Sequence, residues 1–189
     1  DLGVGVAAFD DFPSASEGLA AGSVSLPFYV TTNGLITTDL TKAPLAAAAL
    51  GTHPGGNIPE SQVSAMLRAL SGQALTWPEG SLLADVSAPL GTYGSMRFRE
   101  GSLPILVPIT DASMHNGKRA KNATPTGAPT DYESGYHDAY TFTSANLDDL
   151  VTKVNALGAK IIGVASSGVT RTEQLDPSKY PNAPYPDLA

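Results

Sequence analysis

Two acids in this 189-residue chain stand where a binding site could form. The apolar run LPILVPIT (residues 103–110) climbs to Asp111, and Ala112, Ser113, Met114 and His115 follow. Glu60 comes directly after Asn57-Ile58-Pro59 and opens an apolar-periodic stretch. Carboxylate, carbonyl and hydroxyl oxygens are the ligands that hard cations such as Mg²⁺ and Ca²⁺ take. Each residue also has a plainer reading. Asp111 could bond the backbone amides of its own loop, and Asn57 could be a turn residue. Glu60 could be a surface carboxylate favoured by the positive end of a helix.

Other chemistries find less in the residues. His53, His115 and His137 are spaced unlike any zinc set, and Asp111, Ser113 and His115 lack the strand–turn–helix setting of a hydrolase nucleophile. The chain has no cysteine, which excludes thiol catalysis, disulfides and thiolate metal sites. Lys118, Arg119 and Lys121 read as a solvated loop, and Asn122-Ala123-Thr124 is a glycosylation sequon that matters only in a eukaryotic secretory setting. Tyr132, Tyr136 and Tyr140 could form a binding surface or cover the end of a sheet.

The elements that must position these groups alternate. Leu2 to Phe9 reads as a buried strand bounded by Asp10-Asp11 and Pro13, and Pro27 to Ile36 as strand-rich with a turn at Asn33-Gly34. A helix is expected over Thr38 to Leu50, capped by Thr38 or Asp39. A second helix starts at Pro59, carries Val63, Met66, Leu67 and Leu70 on one stripe, and stops at Gly72. Leu103 to Ile109 suits a parallel strand covered on both faces, except that Pro108 implies a missing ladder bond or a bulge. A helix over Ser144 to Leu157 ends at Gly158, and Lys160 to Ala165 is the last strand. Residues 73–102 and 112–143 are expected as two long loop insertions and 166–189 as an extended Pro-rich tail, all within a single domain, 1–189. The alternation predicts an α/β chain with an open, mostly parallel, doubly wound sheet, whose ligands would sit beyond the carboxyl ends of its strands.

Composition narrows the class. Apolar residues make up 42 %, enough for one sizeable core. Charged residues are only 15 %, with 19 glycines and 15 prolines, a loop-rich and weakly charged mix. The net charge of −7 argues against nucleic acid and against an anionic membrane surface. No run is long enough to span a membrane. An opening on Asp-Leu-Gly-Val without Met reads as a fragment or processed product.

Five blocks in their order resemble the von Willebrand factor type A domain, and more closely its integrin β-subunit I-like and bacterial surface-protein variants. They are VGVAAFDDFP, PFYV with TTDL, HPGGNIPESQVSAML, LPILVPITDASMHNG and NLDDLVTKVNALGAKIIGVAS. The resemblance implies a metal-ion-dependent adhesion site for Mg²⁺ or Ca²⁺ with Asp111 and Glu60 as ligands. Asn57 and the Pro59 carbonyl would match a neighbouring Ca²⁺ site, Thr52 would stand in for a loop threonine, and Ser113 and His115 would lie at the ligand-binding edge. The family's Asp-x-Ser-x-Ser motif, which follows its central first strand, is not in this chain. The nearest strings, Asp111-Ala112-Ser113-Met114-His115 and Asp85-Val86-Ser87-Ala88-Pro89, fail at the last position. Without that strand two half-sheets keep open edges, so a further polypeptide segment is expected to complete the sheet. The function implied is a non-enzymatic, secreted or cell-surface bacterial adhesion module for a protein or glycan. The alternative is a metal-independent structural subunit of a larger surface assembly or filament.

Overall fold

Two of the three helices among the described residues stop at a left-handed glycine. The computed structural model describes residues 1–13, 25–51, 60–77, 82–112, 114–115 and 145–165. Helix α1 (Lys42–Ala48) is shorter than expected. Asp39 delays its start: its Oδ1 takes the Thr41 N–H at 3.2 Å and the Thr41 hydroxyl at 2.6 Å, holding a turn before the helix. Helix α2 (Gln62–Ser71) begins after Ser61 and stops at left-handed Gly72, whose N–H returns to the Arg68 carbonyl. Val63, Met66 and Leu70 on its stripe are buried. Helix α3 (Leu147–Leu157) opens with a reciprocal cap, in which the Asn146 side chain takes the Asp149 N–H and the Asp149 carboxylate takes the Asn146 N–H. It closes at left-handed Gly158.

The strands are short and of both senses. β1 (Leu75–Thr76) pairs antiparallel with β2 (Leu82–Leu83), and β3 (Thr92–Tyr93) with β4 (Phe98–Arg99). Residues 73–102 therefore carry two antiparallel ribbons and place Trp77, Met96 and Phe98 in the core. β5 (Ile105–Leu106) runs parallel to β7 (Lys160–Ile161), and β6 (Ile109–Thr110) parallel to β8 (Val164–Ala165). The break between these two ladders falls at Pro108, which has no N–H to offer the neighbouring strand. The amino-terminal stretch forms antiparallel bridges, Val4 with Thr37 and Ala8 with Tyr29, around a turn where Asn33 has φ 67°. The described residues thus form a mixed α and β structure with three helices and small parallel and antiparallel ladders.

One core unites them. Phe12, Leu70 and Leu150 are fully buried, each contributing roughly 1.5–3 kcal/mol. Phe12 meets Trp77 edge to face at 5.9 Å. α2 packs on α3, and the Ser64 hydroxyl takes the Ala145 N–H at 3.1 Å. Arg68, 6 % exposed, ties the first ribbon to α2 by donating to the carbonyls of Gln73, Leu83 (3.3 Å) and Ala84 (2.9 Å), with its guanidinium 5.7 Å from the Phe28 ring centre. At Gly94, φ +71°, an added Cβ would lie 2.2 Å from the Ala69 carbonyl oxygen, so the second ribbon touches α2 backbone to backbone.

The strand 103–110 is not covered on both faces among the described residues, contrary to the expectation from its unbroken apolar run. Pro104 and Pro108 are buried and Leu106 packs on the core, whereas Leu103, Ile105, Val107 and Ile109 are 49–71 % exposed.

Candidate functional site

The amino-terminal stretch and the strand 103–110 both run toward the same place and both end on acids. Asp10 and Asp11 close the first, Asp111 the second. Between them passes Glu60-Ser61, just ahead of α2. The Ser61 N–H and hydroxyl both donate to the Asp10 carbonyl, the former at 3.1 Å. On its other side Glu60 forms a parallel bridge with Met114, and its carbonyl takes the His115 N–H at 2.9 Å. One residue pair thus laces the two strand ends together.

Asp11 and His115 are each 1 % exposed. Asp11 Oδ1 takes the Phe12 N–H at 2.8 Å, and Oδ2 faces His115 Nε2 at 3.2 Å. The loop carrying Asp111 is held by the Gln62 amide, which donates to Thr110 Oγ1 at 3.1 Å and to the Ala112 carbonyl at 3.2 Å. Asp111 itself is exposed.

The Glu60 carboxylate is enclosed by like charge. Its Oε2 is buried and has no hydrogen-bond partner among the described residues. Desolvation first, then the negative fields of Asp11, Asp10 and Asp111, push its pKa up to about 8. At neutral pH such a group keeps its proton unless a positive charge arrives. A hard cation or a basic side chain would supply that charge. Among the described residues no three histidine, aspartate or glutamate side chains are already arranged as a metal cage, so an ion here would draw further oxygens from elsewhere.

Of the residues expected at the site, the structure brings Glu60 and Asp111 into one electrostatic cluster. Glu60 is not the surface carboxylate of a helix start: α2 begins two residues later, and the Glu60 Oε2 is buried within the fields of Asp10, Asp11 and Asp111. His115 is buried beside Asp11 rather than lying open at a ligand edge. Thr52, Asn57, Pro59 and Ser113 lie outside the described residues, as do His53, His137 and the three loop tyrosines. Asp10 and Asp11 were read only as the boundary of a strand. Their signal is a repeated pattern, an apolar run ending on an acid, in Ala7-Ala8-Phe9-Asp10-Asp11 as in Pro108-Ile109-Thr110-Asp111.

No protein-family model, characterised protein or solved structure matches this chain.

Proposed function

We propose that this chain is a non-enzymatic binding module of von Willebrand A type, engaging a protein or glycan through the acid-rich edge formed by Asp10, Asp11, Glu60 and Asp111, with Mg²⁺ or Ca²⁺ at that edge. The observation that carries the reading is the buried, unpartnered Oε2 of Glu60 among three other carboxylates. A fold does not retain such a group cheaply, and a divalent cation would relieve both its desolvation and the repulsion. Glu60 and Asp111 would supply oxygens to the ion, while Asp11 would hold His115 and the strand ends in place. Mg²⁺ keeps open positions that a partner's acid can fill, which suits adhesion at a secreted or cell-surface site. The finer fold belongs to the same proposal: the parallel ladders are pieces of one open, doubly wound sheet.

The test is thermal melting with and without Mg²⁺ or Ca²⁺. At a hundredfold excess over Kd the ion stabilises by about 2.7 kcal/mol, a rise of roughly 5–10 °C for a chain of this size. Asp111→Ala removes that rise. An unchanged melting curve in millimolar ion contradicts the reading. The second reading, a metal-independent structural subunit, is favoured by the exposed apolar face of strand 103–110, and predicts an obligate oligomer whatever the ion.

A further inference from the structure

We infer that the cavity between α2 and α3 binds a small organic acid, whose single carboxylate answers the positive charge of Arg68 and Lys153 and whose short apolar body lies against Leu67 and Leu75. The cavity shares no residue with the acid edge, so the inference goes beyond the cation reading and does not depend on it.

The cavity exists because two packed helices meet there through small side chains. Ala145 and Ala156 on the α3 side and Ser64 on α2 leave a space of about 450 Å³, a size that suits a small molecule. Its floor is buried: Ser64 is 1 % exposed, Leu75 5 % and Arg68 6 %. Its rim, with Asp149 and Thr152, is exposed. A ligand can therefore enter from solvent and end on buried groups.

Those buried groups are donors with capacity to spare. The Ser64 hydroxyl oxygen accepts the Ala145 N–H at 3.1 Å, and its own O–H goes to no acceptor among the described residues. Arg68 gives its Nη1 and Nη2 hydrogens to carbonyls of the first ribbon, while its buried Nε makes no hydrogen bond among the described residues. Neutral carbonyls satisfy the geometry of a guanidinium and leave its charge uncancelled. Neither Arg68 nor Lys153 forms an ion pair with a carboxylate among the described residues. Burial lowers the Arg68 pKa, and the field of Asp85 offsets only part of that cost. A positive charge held this far from water and without an ion-pair partner favours an anion beside it.

The count of charges sets the anion's valence. Two cations, Arg68 and Lys153, stand against one acid, Asp149, so the lining carries one net positive charge. Asp149 is already committed, its carboxylate accepting the Asn146 N–H in the cap of α3. One net charge matches a monoanion such as a carboxylate better than a doubly charged phosphate monoester. The chain's net charge of −7 also opposes a polyanion. Leu67 and Leu75 give the ligand's body an apolar wall, which distinguishes an organic acid from an inorganic ion.

The test is a titration of the full chain in EDTA, followed by nitrogen–proton correlation spectra, with hexanoate as the probe. Hexanoate is expected to saturate at one per chain in the millimolar range. It should move the amide signals of Ser64, Arg68, Ala145 and Lys153 and the Arg68 Nε–H signal. Hexanol, which keeps the body and lacks the charge, should leave them in place, and inorganic phosphate should bind more weakly. Lys153→Gln, a change at a half-buried position, should weaken hexanoate roughly three- to tenfold without moving the melting temperature. Failure of hexanoate to saturate, or shifts that spare these residues, overturns the inference. Equal binding of hexanol overturns it in favour of a purely apolar cavity, and phosphate binding as tight as hexanoate in favour of a simple anion site. Unchanged affinity in Lys153→Gln overturns it as well. None of these outcomes bears on the cation reading, because the ion is absent throughout.

Discussion

Asp11 and His115 lie 104 positions apart in sequence and face each other at 3.2 Å, both out of solvent. Through them the end of the amino-terminal stretch is fastened to the loop that follows strand 103–110, and the acid cluster takes its shape from that fastening. Removing one partner leaves the other buried without its bond. His115→Phe, which keeps a ring but no nitrogen, is expected to cost about 1–3 kcal/mol, read as a lower urea midpoint at unchanged slope. Asp11→Asn, which keeps an acceptor, should cost less.

Glu60 makes the stability of the chain depend on pH in a direction unusual for an acid. Its ordinary value is 4.5, and in the fold it is raised to about 8. Between those values the folded chain holds a proton that the unfolded chain has lost. Its contribution is fully present below pH 4.5 and is lost as pH rises through about 8. Glu60→Gln, neutral throughout, should flatten that fall. In EDTA at pH 8 it should gain roughly 1–2 kcal/mol, less than the whole shift because solvent reaches part of the side chain. Urea unfolding of both proteins at pH 5 and pH 8 checks this: equal slopes with pH would count against it.

Arg68 answers for the first ribbon. It bonds the carbonyls of Gln73, Leu83 and Ala84, and Arg68→Met leaves those carbonyls without their donor. The expected loss is about 2–4 kcal/mol, with amide exchange quickening first at Leu75 and Leu83, whose ribbon depends on it. A uniform loss across the chain would contradict the local role.

Two left-handed glycines separate crowding from strain. At Gly158, φ +63°, an added Cβ meets nothing within 4 Å, so Gly158→Ala should cost only about 1 kcal/mol of backbone strain. At Gly94 the same change drives a methyl into the Ala69 carbonyl and should cost more than about 3 kcal/mol. Thermal unfolding of the pair gives the order, and equal shifts would refute the close approach.

Much of the local structure was legible in the sequence. Gly72 and Gly158 marked helix ends because few other residues adopt left-handed backbone. The periodic stripes of α2 and α3 marked their buried faces, and Pro108 marked the break in the parallel ladders because it lacks an N–H. Less could be read where the cause is distant. Nothing local distinguishes Asp11, a core acid, from Asp10 beside it, since its partner His115 stands 104 positions away in sequence. The ladders within residues 73–102 span two residues each, too short for an alternating pattern. The two-sided apolar run at 103–109 announces a covered strand, but the cover is not among the described residues. At the site, Glu60 and Asp111 were legible as acids at element ends, whereas the field that raises Glu60 arises only when Asp10 and Asp11 are folded beside it.

The central claim, a cation at the acid edge, is tested most directly by proton-linked calorimetry. Mg²⁺ or Ca²⁺ is titrated into the chain at pH 7 in two buffers of different ionisation heat. With Glu60 protonated beforehand, binding is expected to release about one proton per ion, and Glu60→Gln to release none. Absence of binding heat, or the same proton release from Glu60→Gln, would contradict the account.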